Sequence, residues 1–260
     1  ADKLKKLKPT AVFNALHGRY GEDGFVQSIL ESLKIKYTHS GVISSSLSMD
    51  KELSRILFKN NNLRVPKCFV LEKGYQRNFK KKLHQANIKF PIVIKPINEG
   101  SSLGVYICEN YRKFVKNYRK LNKEYDRILI EEYIPGREIQ VAVKGNKALG
   151  AIELVPKRKF YDYKAKYSRS ANTKHIMPAP LVNKKYKEVL DLAKKAHRIL
   201  GCRGITRSDF RFFKNSFYLL EVNTQPGMTK LSLVPEIARY QGINFENLVD
   251  WMIKDAGLKR

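Results

Sequence analysis

The segment that most constrains the architecture reads Gly201-Cys-Arg-Gly-Ile-Thr-Arg-Ser-Asp-Phe-Arg-Phe-Phe213, then Lys-Asn-Ser216, then Phe217-Tyr-Leu-Leu-Glu-Val-Asn-Thr-Gln-Pro-Gly227. Apolar residues dominate 210–213 and 217–222, which predicts two short strands. The polar residues 214–216 between them predict a turn, so the segment is predicted to fold as a β-hairpin.

This hairpin concentrates side chains that bind cations. Asp209 stands at the head of the first predicted strand, and Glu221 and Asn223 lie two apart on the second, so they point to one face. Two carboxylates and an amide oxygen are hard ligands that suit Mg²⁺. Arg207 would share the face of Asp209, and such charges are costly to desolvate without a purpose. The spacing fits a surface hairpin with solvated charges equally well.

Composition limits the class of protein. The chain has 260 residues and a hydrophobic content of 43%, which is typical of a globular protein with two or three lobes. The formal charge of +27 would suit a polyanionic partner. The lysines are scattered and form no long basic block, so we do not expect nucleic acid as the main partner. A general lysine bias accounts for the charge.

The cysteines and the hydropathy pattern bear on the compartment. Cys68, Cys108 and Cys202 are odd in number and far apart, which argues against a disulfide framework and a cysteine-based zinc site. No apolar run reaches membrane-spanning length, and the first residues are charged and unlike a signal peptide. We therefore expect a cytoplasmic protein with reduced thiols and no membrane partner.

The first 41 residues predict a strand at 11–16, a glycine-rich loop at 17–24, a helix at 25–33 and a short strand from Lys36. This fragment is too small to bury a helix on each face of its own sheet. Either it docks on the rest of the chain or further sequence precedes it, and the helix-like opening favours the second reading.

A second candidate site follows a strand at residues 90–96. Lys95 ends this strand, and the loop after it is rich in glycine and serine, including Gly100, Ser101 and Gly104. Small residues let backbone N–H groups approach an anion closely. The loop lacks the Gly-Lys-Ser/Thr ending of a Walker motif, and a glycine-rich hairpin without a ligand is the alternative.

The remaining pattern predicts alternating strands and helices. Strands are predicted at 65–71, 128–134, 137–143 and 147–154, and helices at 48–59, 74–87, 183–200, 235–240 and 245–256. Ser48 is the predicted N-cap of the first of these helices. The aromatic and basic segment 160–168 is predicted to be a loop, either a lid or an ordinary packed Ω-loop.

Nine short motifs occur in a fixed order along the chain. They are His17-Gly-x-x-Gly-Glu-Asp-Gly24, Met49-Asp-Lys51, Val93-Ile-Lys95-Pro, Glu99-Gly-Ser-Ser-x-Gly104, Phe160-Tyr-Asp-Tyr-x-x-Lys-Tyr167, Arg207-x-Asp209, Glu221-x-Asn223, Pro226-Gly-Met and Ser232-Leu-Val-Pro235. Each is weak alone, but in this combination the chain closely resembles the D-alanine–D-alanine ligases of the ATP-grasp superfamily over nearly its whole length.

The resemblance implies an α/β fold with α+β character, in which two ATP-grasp lobes clasp ATP behind a partial N-terminal α/β domain. The expected divisions are residues 1–47, the remnant of that domain, 48–135, the central lobe, and 136–260, the C-terminal lobe with the metal and D-alanine sites. The family begins with a strand and a Gly-Gly-x-Ser-x-Glu loop that this sequence does not contain. We therefore expect that the sequence lacks the N-terminal part of the family's first domain.

The family reaction implies the chemistry. ATP phosphorylates the carboxylate of one D-alanine, the amine of a second attacks the acyl phosphate, and a tetrahedral intermediate collapses to D-alanyl-D-alanine, a peptidoglycan precursor, and phosphate. The resemblance implies two Mg²⁺ ions, with Mn²⁺ as a substitute, a bacterial cytoplasmic location and a homodimer. The alternative is an ATP-grasp ligase with another D-amino acid or a D-hydroxy acid in the second subsite.

The resemblance also assigns residues to roles. Lys51, Lys95 and Lys166 would hold nucleotide phosphates, and Glu131, Glu138 and Phe160 would bind the rest of the nucleotide. Metal ligands would be Asp209, the bridging Glu221 and Asn223. Arg207, Ser101, Tyr167 and Lys166 would act in catalysis, and the D-alanine sites would use His17, Ser101, Tyr167, Arg207, Gly227, Ser232 and Leu233.

Two departures from the family pattern lie beside the second subsite. Gln225 stands where many members have Ser, and Lys230-Leu231 replaces a commoner polar pair. Tyr167 bears on whether the second subsite takes an amine or a hydroxyl acceptor, because family members that form depsipeptides tend to carry Phe there. We expect the phenol hydroxyl to help select an amine over a hydroxyl nucleophile.

Overall fold

The protein is described by a computed structural model that covers residues 1–75, 77–100, 103–156, 173–229 and 232–259. Four of the predicted site residues lie outside the described residues, namely Ser101, Phe160, Lys166 and Tyr167. The predicted aromatic loop at 160–168 and the departure at Lys230-Leu231 lie outside them as well.

The smaller of the two main sheets is antiparallel. Its strands are β3 (Cys68–Glu72), β4 (Ile92–Pro96), β5 (Tyr106–Cys108) and β6 (Arg127–Glu132), in the order β3–β6–β4–β5. Helices α5 (Phe79–Gln85) and α6 (Tyr111–Glu124) contribute to its core, where the Phe79 ring contacts Phe114 and Tyr118 edge to face. Such ring pairs add to the free energy of burial because the edge of one ring meets the face of another.

The larger sheet is also antiparallel, with the order β11–β10–β7–β8–β9. Its strands are β7 (Arg137–Lys144), β8 (Lys147–Val155), β9 (Lys174–Ile176), β10 (Ile205–Phe213) and β11 (Ser216–Asn223). Helix α7 (Asn183–Ile199) covers one face, and α8 (Leu233–Tyr240) and α9 (Phe245–Asp255) cover the other. Alternate residues of β7 serve the two cores, since Val141 and Val143 face α7 and Ala142 faces α8.

The predicted hairpin is confirmed, with longer strands than expected. Strand β10 begins at Ile205, so Asp209 lies in mid-strand, not at its head. The turn has two residues rather than three, Lys214 and Asn215, with φ values of 45° and 58°. Left-handed values at both turn positions match the twist of the flanking strands, which explains why so short a turn closes the hairpin.

The N-terminal residues form a small unit. It contains α1 (Asp2–Leu7), β1 (Ala11–Val12), α2 (Phe25–Ser32) and β2 (Lys36–Tyr37), and β1 pairs with β2 in parallel. The predicted strand at 11–16 is thus only two residues long. Leu30 and Tyr37 form a core with the C-terminal Leu258, so the first and last parts of the chain pack together.

Two consecutive helices connect this unit to the lobes. They are α3 (Val42–Met49), which the sequence pattern did not predict, and α4 (Lys51–Asn60). The predicted N-cap at Ser48 is wrong: Ser48 lies inside α3, and the Asp50 side chain accepts hydrogen bonds from the first turn of α4. Phe58 of α4 packs into the core of the larger sheet.

The other differences are shifts of element ends and additional elements. Helix α5 is shorter than the predicted 74–87, α8 begins two residues before the predicted 235, and α6 and β9 were not predicted. Among the described residues, none of the helices is both long and apolar enough to cross a bilayer.

Candidate active site

A cleft of about 350 Å³ lies between the two sheets. Six of the predicted site residues line it together: Lys51, Lys95, Glu131, Glu138, Asp209 and Glu221. Apolar side chains of both sheets, including Val93, Ile107, Ile134 and Leu220, form the rest of the wall. A cleft with apolar walls and a few convergent charges is typical of a small-molecule binding site.

The central charge in the cleft is the Glu131 carboxylate, which is buried on β6. Lys95 of β4 donates to Glu131 Oε1 at 2.8 Å, and Arg55 Nη2 lies 2.5 Å from Oε2. The Arg55 contact is an ion pair without hydrogen-bond alignment. Burial by itself would raise the pKa of Glu131, but the charges of Arg55 and Lys95 outweigh it and hold the pKa below its usual value. Glu131 is therefore a fixed anion.

Lys51, at the start of α4, is a third buried cation beside Arg55 and Lys95. Its Nζ donates to the backbone oxygens of Ile97 and Glu99 and lies 3.9 Å from Glu221 Oε2. Burial lowers the pKa of Lys51, and the neighbouring cations Lys95 and Arg55 add to the shift, while Glu221 opposes it. An incoming polyanion would favour the charged form of this lysine.

If the cleft binds a nucleotide, as the family resemblance implies, the lowered pKa of Lys51 predicts a pH dependence of that binding. Lys51 loses its proton at a lower pH than an ordinary lysine, whose pKa is 10.5, and a phosphate ligand prefers the protonated form. We therefore expect the Kd for ATP to rise between neutral and alkaline pH, as measured by calorimetry. Lys51→Arg, which keeps its charge in this range, should remove most of the rise. An equal pH dependence in the two proteins would contradict the assignment.

The hairpin brings its predicted ligands to one place. Asp209 and Glu221 are directly opposite on β10 and β11, as are Arg207 and Asn223. Arg207 donates from Nε and Nη2 to the two oxygens of Asp209 at 2.7 and 2.9 Å. Asn223 Nδ2 lies 3.5 Å from Asp209 Oδ2, which leaves the amide oxygen of Asn223 as an acceptor.

The donor set fits a hard divalent cation. A carboxylate offers about four lone-pair positions, so the two bonds from Arg207 leave Asp209 able to ligate a metal. Within the described ranges, no three His, Cys, Asp or Glu side chains group as a metal site, and the arrangement here has two carboxylates and one amide. Such a set needs oxygens from a ligand, such as phosphate, to complete six-fold coordination.

Glu138 lies at the far end of the cleft. It is the cross-strand partner of Arg211, whose Nη2 is 3.6 Å from Glu138 Oε2, and Gln140 Nε2 donates to its Oε1 at 3.2 Å. Both Glu138 and Arg211 face the cavity, so a hydroxyl-bearing ligand could reach the carboxylate.

His17 lies outside the main cleft. Its Nδ1 is 3.1 Å from Glu22 Oε1, and this hydrogen bond raises the pKa of His17. Glu22 in turn lines a small adjoining cavity with Lys51, Glu221 and Asn223. The structure therefore brings the His17 loop to the hairpin end through Glu22.

Three predicted substrate-binding residues follow the hairpin, namely Gly227, Ser232 and Leu233. They are close to one another but are not part of the described lining of either cavity. A side chain at Gly227 would meet Ser232 Oγ at 2.9 Å, so glycine permits this approach. Ser232 Oγ bonds to Thr229. Leu233 is buried in the core beneath the larger sheet, so only its backbone could contact a substrate.

Two charged residues were missed by the motif reading. Arg55 follows Lys51 by four positions on α4, and Arg211 follows Asp209 by two on β10. Helical and strand periodicity place each on the face of its predicted neighbour. This spacing could have identified both as candidates.

Comparisons with known proteins show the family to which the chain belongs. The family model described as "D-ala D-ala ligase C-terminus" matches residues 57–254. A D-alanine–D-alanine ligase of Pelagibacter ubique is 56% identical over 99% of this chain and 84% of its own length, and one of Wolbachia pipientis wMel is 46% identical over 98% and 80%.

The solved structures give the same family. The crystal structure of D-alanine–D-alanine ligase from Bacillus anthracis complexed with ATP is 30% identical, with a TM-score of 0.85 over 98% of this chain and 81% of that one. The two chains therefore share both the ATP-grasp fold and a substantial part of their sequence. The chain therefore belongs to the family of D-alanine–D-alanine ligases.

Proposed function

We propose that this chain joins two D-alanines at the expense of ATP, through a D-alanyl phosphate. The observation that carries the proposal is the cleft that Lys51 of α4 and Lys95 of β4 line together with Asp209 and Glu221 of the larger sheet. Two cations and two acids that line one cleft suit a polyphosphate with its metal ions. Relatives at 56% and 46% identity bear the name of this activity.

The lysines would bind the nucleotide phosphates. Lys95 has three N–H donors and gives one to Glu131, so two remain for phosphate oxygens. Glu131 on the smaller sheet and Glu138 on the larger one would hold adenine and ribose. Phe160 and Lys166 are proposed nucleotide contacts on the resemblance alone.

Two Mg²⁺ ions, or Mn²⁺ in their place, would be held by Asp209, Glu221 and Asn223. When bound, they would neutralise the negative charge that gathers on the transferred phosphate. The bidentate contact from Arg207 fixes the plane of the Asp209 carboxylate and so orients its remaining lone pairs.

In the reaction, a carboxylate oxygen of the first D-alanine would attack the γ-phosphorus and displace ADP. The amine of the second D-alanine would then attack the acyl carbon, lose a proton and expel phosphate with that oxygen. Arg207 would stabilise the tetrahedral oxyanion by its positive charge. Ser101, Tyr167 and Lys166 are proposed to complete this site, and His17, Gly227, Ser232 and Leu233 to shape the D-alanine pockets.

The wider organisation remains part of the proposal. We keep the division into residues 1–47, 48–135 and 136–260, with α4 as the element that joins the last two, since Phe58 packs on the larger sheet. We also propose a homodimer in the bacterial cytoplasm, as the resemblance implies.

The departure from the family pattern at Gln225 has a structural role. This side chain is buried, its Oε1 accepts from Asn14 Nδ2 at 2.5 Å, and its Nε2 donates to the Leu16 oxygen. Gln225 therefore ties the loop after β11 to the N-terminal unit, and the choice between D-alanine and the alternative acceptor, another D-amino acid or a D-hydroxy acid, is decided by an assay.

A competition assay tests the choice of acceptor. With ATP, D-alanine and an excess of D-lactate near neutral pH, we expect D-alanyl-D-alanine to be the main product by mass spectrometry. The reason is that the pocket is proposed to select an amine nucleophile. D-alanyl-D-lactate as the main product would contradict the substrate assignment, and ATP hydrolysis without either product would contradict the ligase activity.

A further inference from the structure

We propose that Arg55 is a positioning residue of the nucleotide site, which holds Glu131 in place and keeps Lys95 available to phosphate. The inference rests on the proposed function, because it assumes that the cleft binds ATP. Arg55 does not line the cleft itself, and it would act through the two side chains that do.

The contacts of Arg55 place it directly behind the cleft wall. It lies one turn after Lys51 on α4, and 3% of its surface is exposed. Its Nη2 is 2.5 Å from Glu131 Oε2 and 3.2 Å from the Leu220 oxygen. One guanidinium therefore contacts β6 of the smaller sheet and β11 of the larger one.

The charge balance explains why this contact matters to nucleotide binding. Glu131 lies between two buried cations, Arg55 and Lys95. Without Arg55, the Glu131 carboxylate would attract Lys95 more strongly. The ammonium group of Lys95 would then be drawn away from an incoming phosphate. Removal of one partner of a buried ion pair also leaves an uncompensated charge, which favours rearrangement of the site.

The bond to Leu220 adds a geometric role. Leu220 directly precedes Glu221, the proposed bridging metal ligand, and Arg55 links this position on β11 to Glu131 on β6. Arg55, which does not line the cleft, thus helps to fix the distance between the smaller sheet, which carries Lys95, and the larger sheet, which carries Glu221. A displacement at the level of an ångström is enough to lower the rate of a positioned reaction.

A purely structural role makes a different prediction. If Arg55 only fills its site, Arg55→Met should lower the unfolding midpoint but leave the affinity of the folded protein for nucleotide unchanged. If Arg55 positions Glu131, nucleotide affinity should fall in protein that remains folded. The KM for D-alanine should change much less, because Arg55 contacts neither proposed D-alanine pocket.

The experiment compares Arg55→Met and Arg55→Lys with Arg239→Met, a matched change at an exposed arginine of α8. Binding of a non-hydrolysable ATP analogue is measured by calorimetry without D-alanine, and folding by circular dichroism. We expect Arg55→Met to weaken binding by about tenfold or more, Arg55→Lys to recover part of the loss and Arg239→Met to bind like the wild type.

A double-mutant cycle with Glu131→Gln identifies the partner. Because Arg55 is expected to act through Glu131, the combined loss of affinity should be clearly smaller than the product of the two single losses. Multiplicative losses, or unchanged affinity in folded Arg55→Lys and Arg55→Met, would overturn the inference. If Arg55→Met fails to fold, Arg55→Lys alone decides it. Absence of nucleotide binding by the wild type would overturn the proposed function instead.

Discussion

Replacement of Asp209 by Asn, or of Glu221 by Gln, is expected to lower kcat by at least about 100-fold, with the fold retained. The two carboxylates face each other across the hairpin and point into the cleft. Each substitution keeps the side-chain shape and removes one negative charge, so metal binding near the phosphates should be weakened while the packing remains. Steady-state ADP release with D-alanine measures the effect, and circular dichroism checks the fold.

A matched control separates this effect from a general loss of charge. Glu246 is exposed on α9, outside the described lining of the cleft, and Glu246→Gln should leave kcat unchanged. Higher Mg²⁺ should partly restore Glu221→Gln, because weakened metal binding responds to concentration. Near-normal turnover of both Asp209→Asn and Glu221→Gln at ordinary Mg²⁺ would remove the metal assignment.

Arg207→Met is expected to lower kcat by about 100- to 1,000-fold, with a smaller effect on the KM for ATP. Arg207 is the bidentate partner of Asp209 and is proposed to stabilise the oxyanion, so its loss affects both the metal ligand and the transition state. Arg207→Lys keeps the charge but cannot make the planar two-bond contact, and it should recover only part of the activity. Initial rates at saturating D-alanine measure both variants.

Arg239→Met, a change at an exposed arginine, also serves as the control for Arg207→Met and Arg207→Lys. It should leave kcat near the wild-type value, because Arg239 lies on the outer surface of α8. If Arg207→Met changed only KM and left kcat intact, the proposed oxyanion role would be wrong. A loss of kcat in Arg239→Met of similar size would show that the effect is not specific to the site.

The metal hairpin could be predicted because its signals are local. Apolar runs of strand length flank a polar turn, and the period of two puts Glu221 and Asn223 on one face. The register that sets Asp209 opposite Glu221 follows from the two-residue turn together with a β-bulge next to Asp209, which shifts the pairing by one residue. The sequence pattern predicted a turn of three residues and not two, because Ser216 is as polar as the true turn residues.

Helix α3 could not be predicted from hydrophobic periodicity. It contains Ser44, Ser45 and Ser48 at buried positions, where an amphipathic helix would carry apolar residues. Ser44 Oγ donates to the Gly201 oxygen at 2.8 Å, and Ser48 Oγ donates to the Val222 oxygen. Hydrogen bonds between distant segments thus replace apolar contacts, and a sequence window does not contain them.

The charge network behind the cleft was hidden for a similar reason. The spacing from Lys51 indicates Arg55 as a candidate but does not indicate its partner, because Arg55 and Glu131 are far apart in sequence. Only the packing of α4 between the two sheets brings the guanidinium to Glu131 and to Leu220. The lysines of the cleft could be proposed in advance because they belong to motifs shared with the family.

The most direct test of the proposed reaction follows the carboxylate oxygens of D-alanine. The purified protein is given ATP, Mg²⁺ and D-alanine labelled with ¹⁸O in its carboxylate, and the phosphate and dipeptide are analysed by mass spectrometry, with L-alanine as the control. We predict one D-alanyl-D-alanine and one ADP for each phosphate, and one labelled oxygen in that phosphate. Dipeptide formation with unlabelled phosphate, or ADP release without dipeptide, would contradict the ligation through a D-alanyl phosphate.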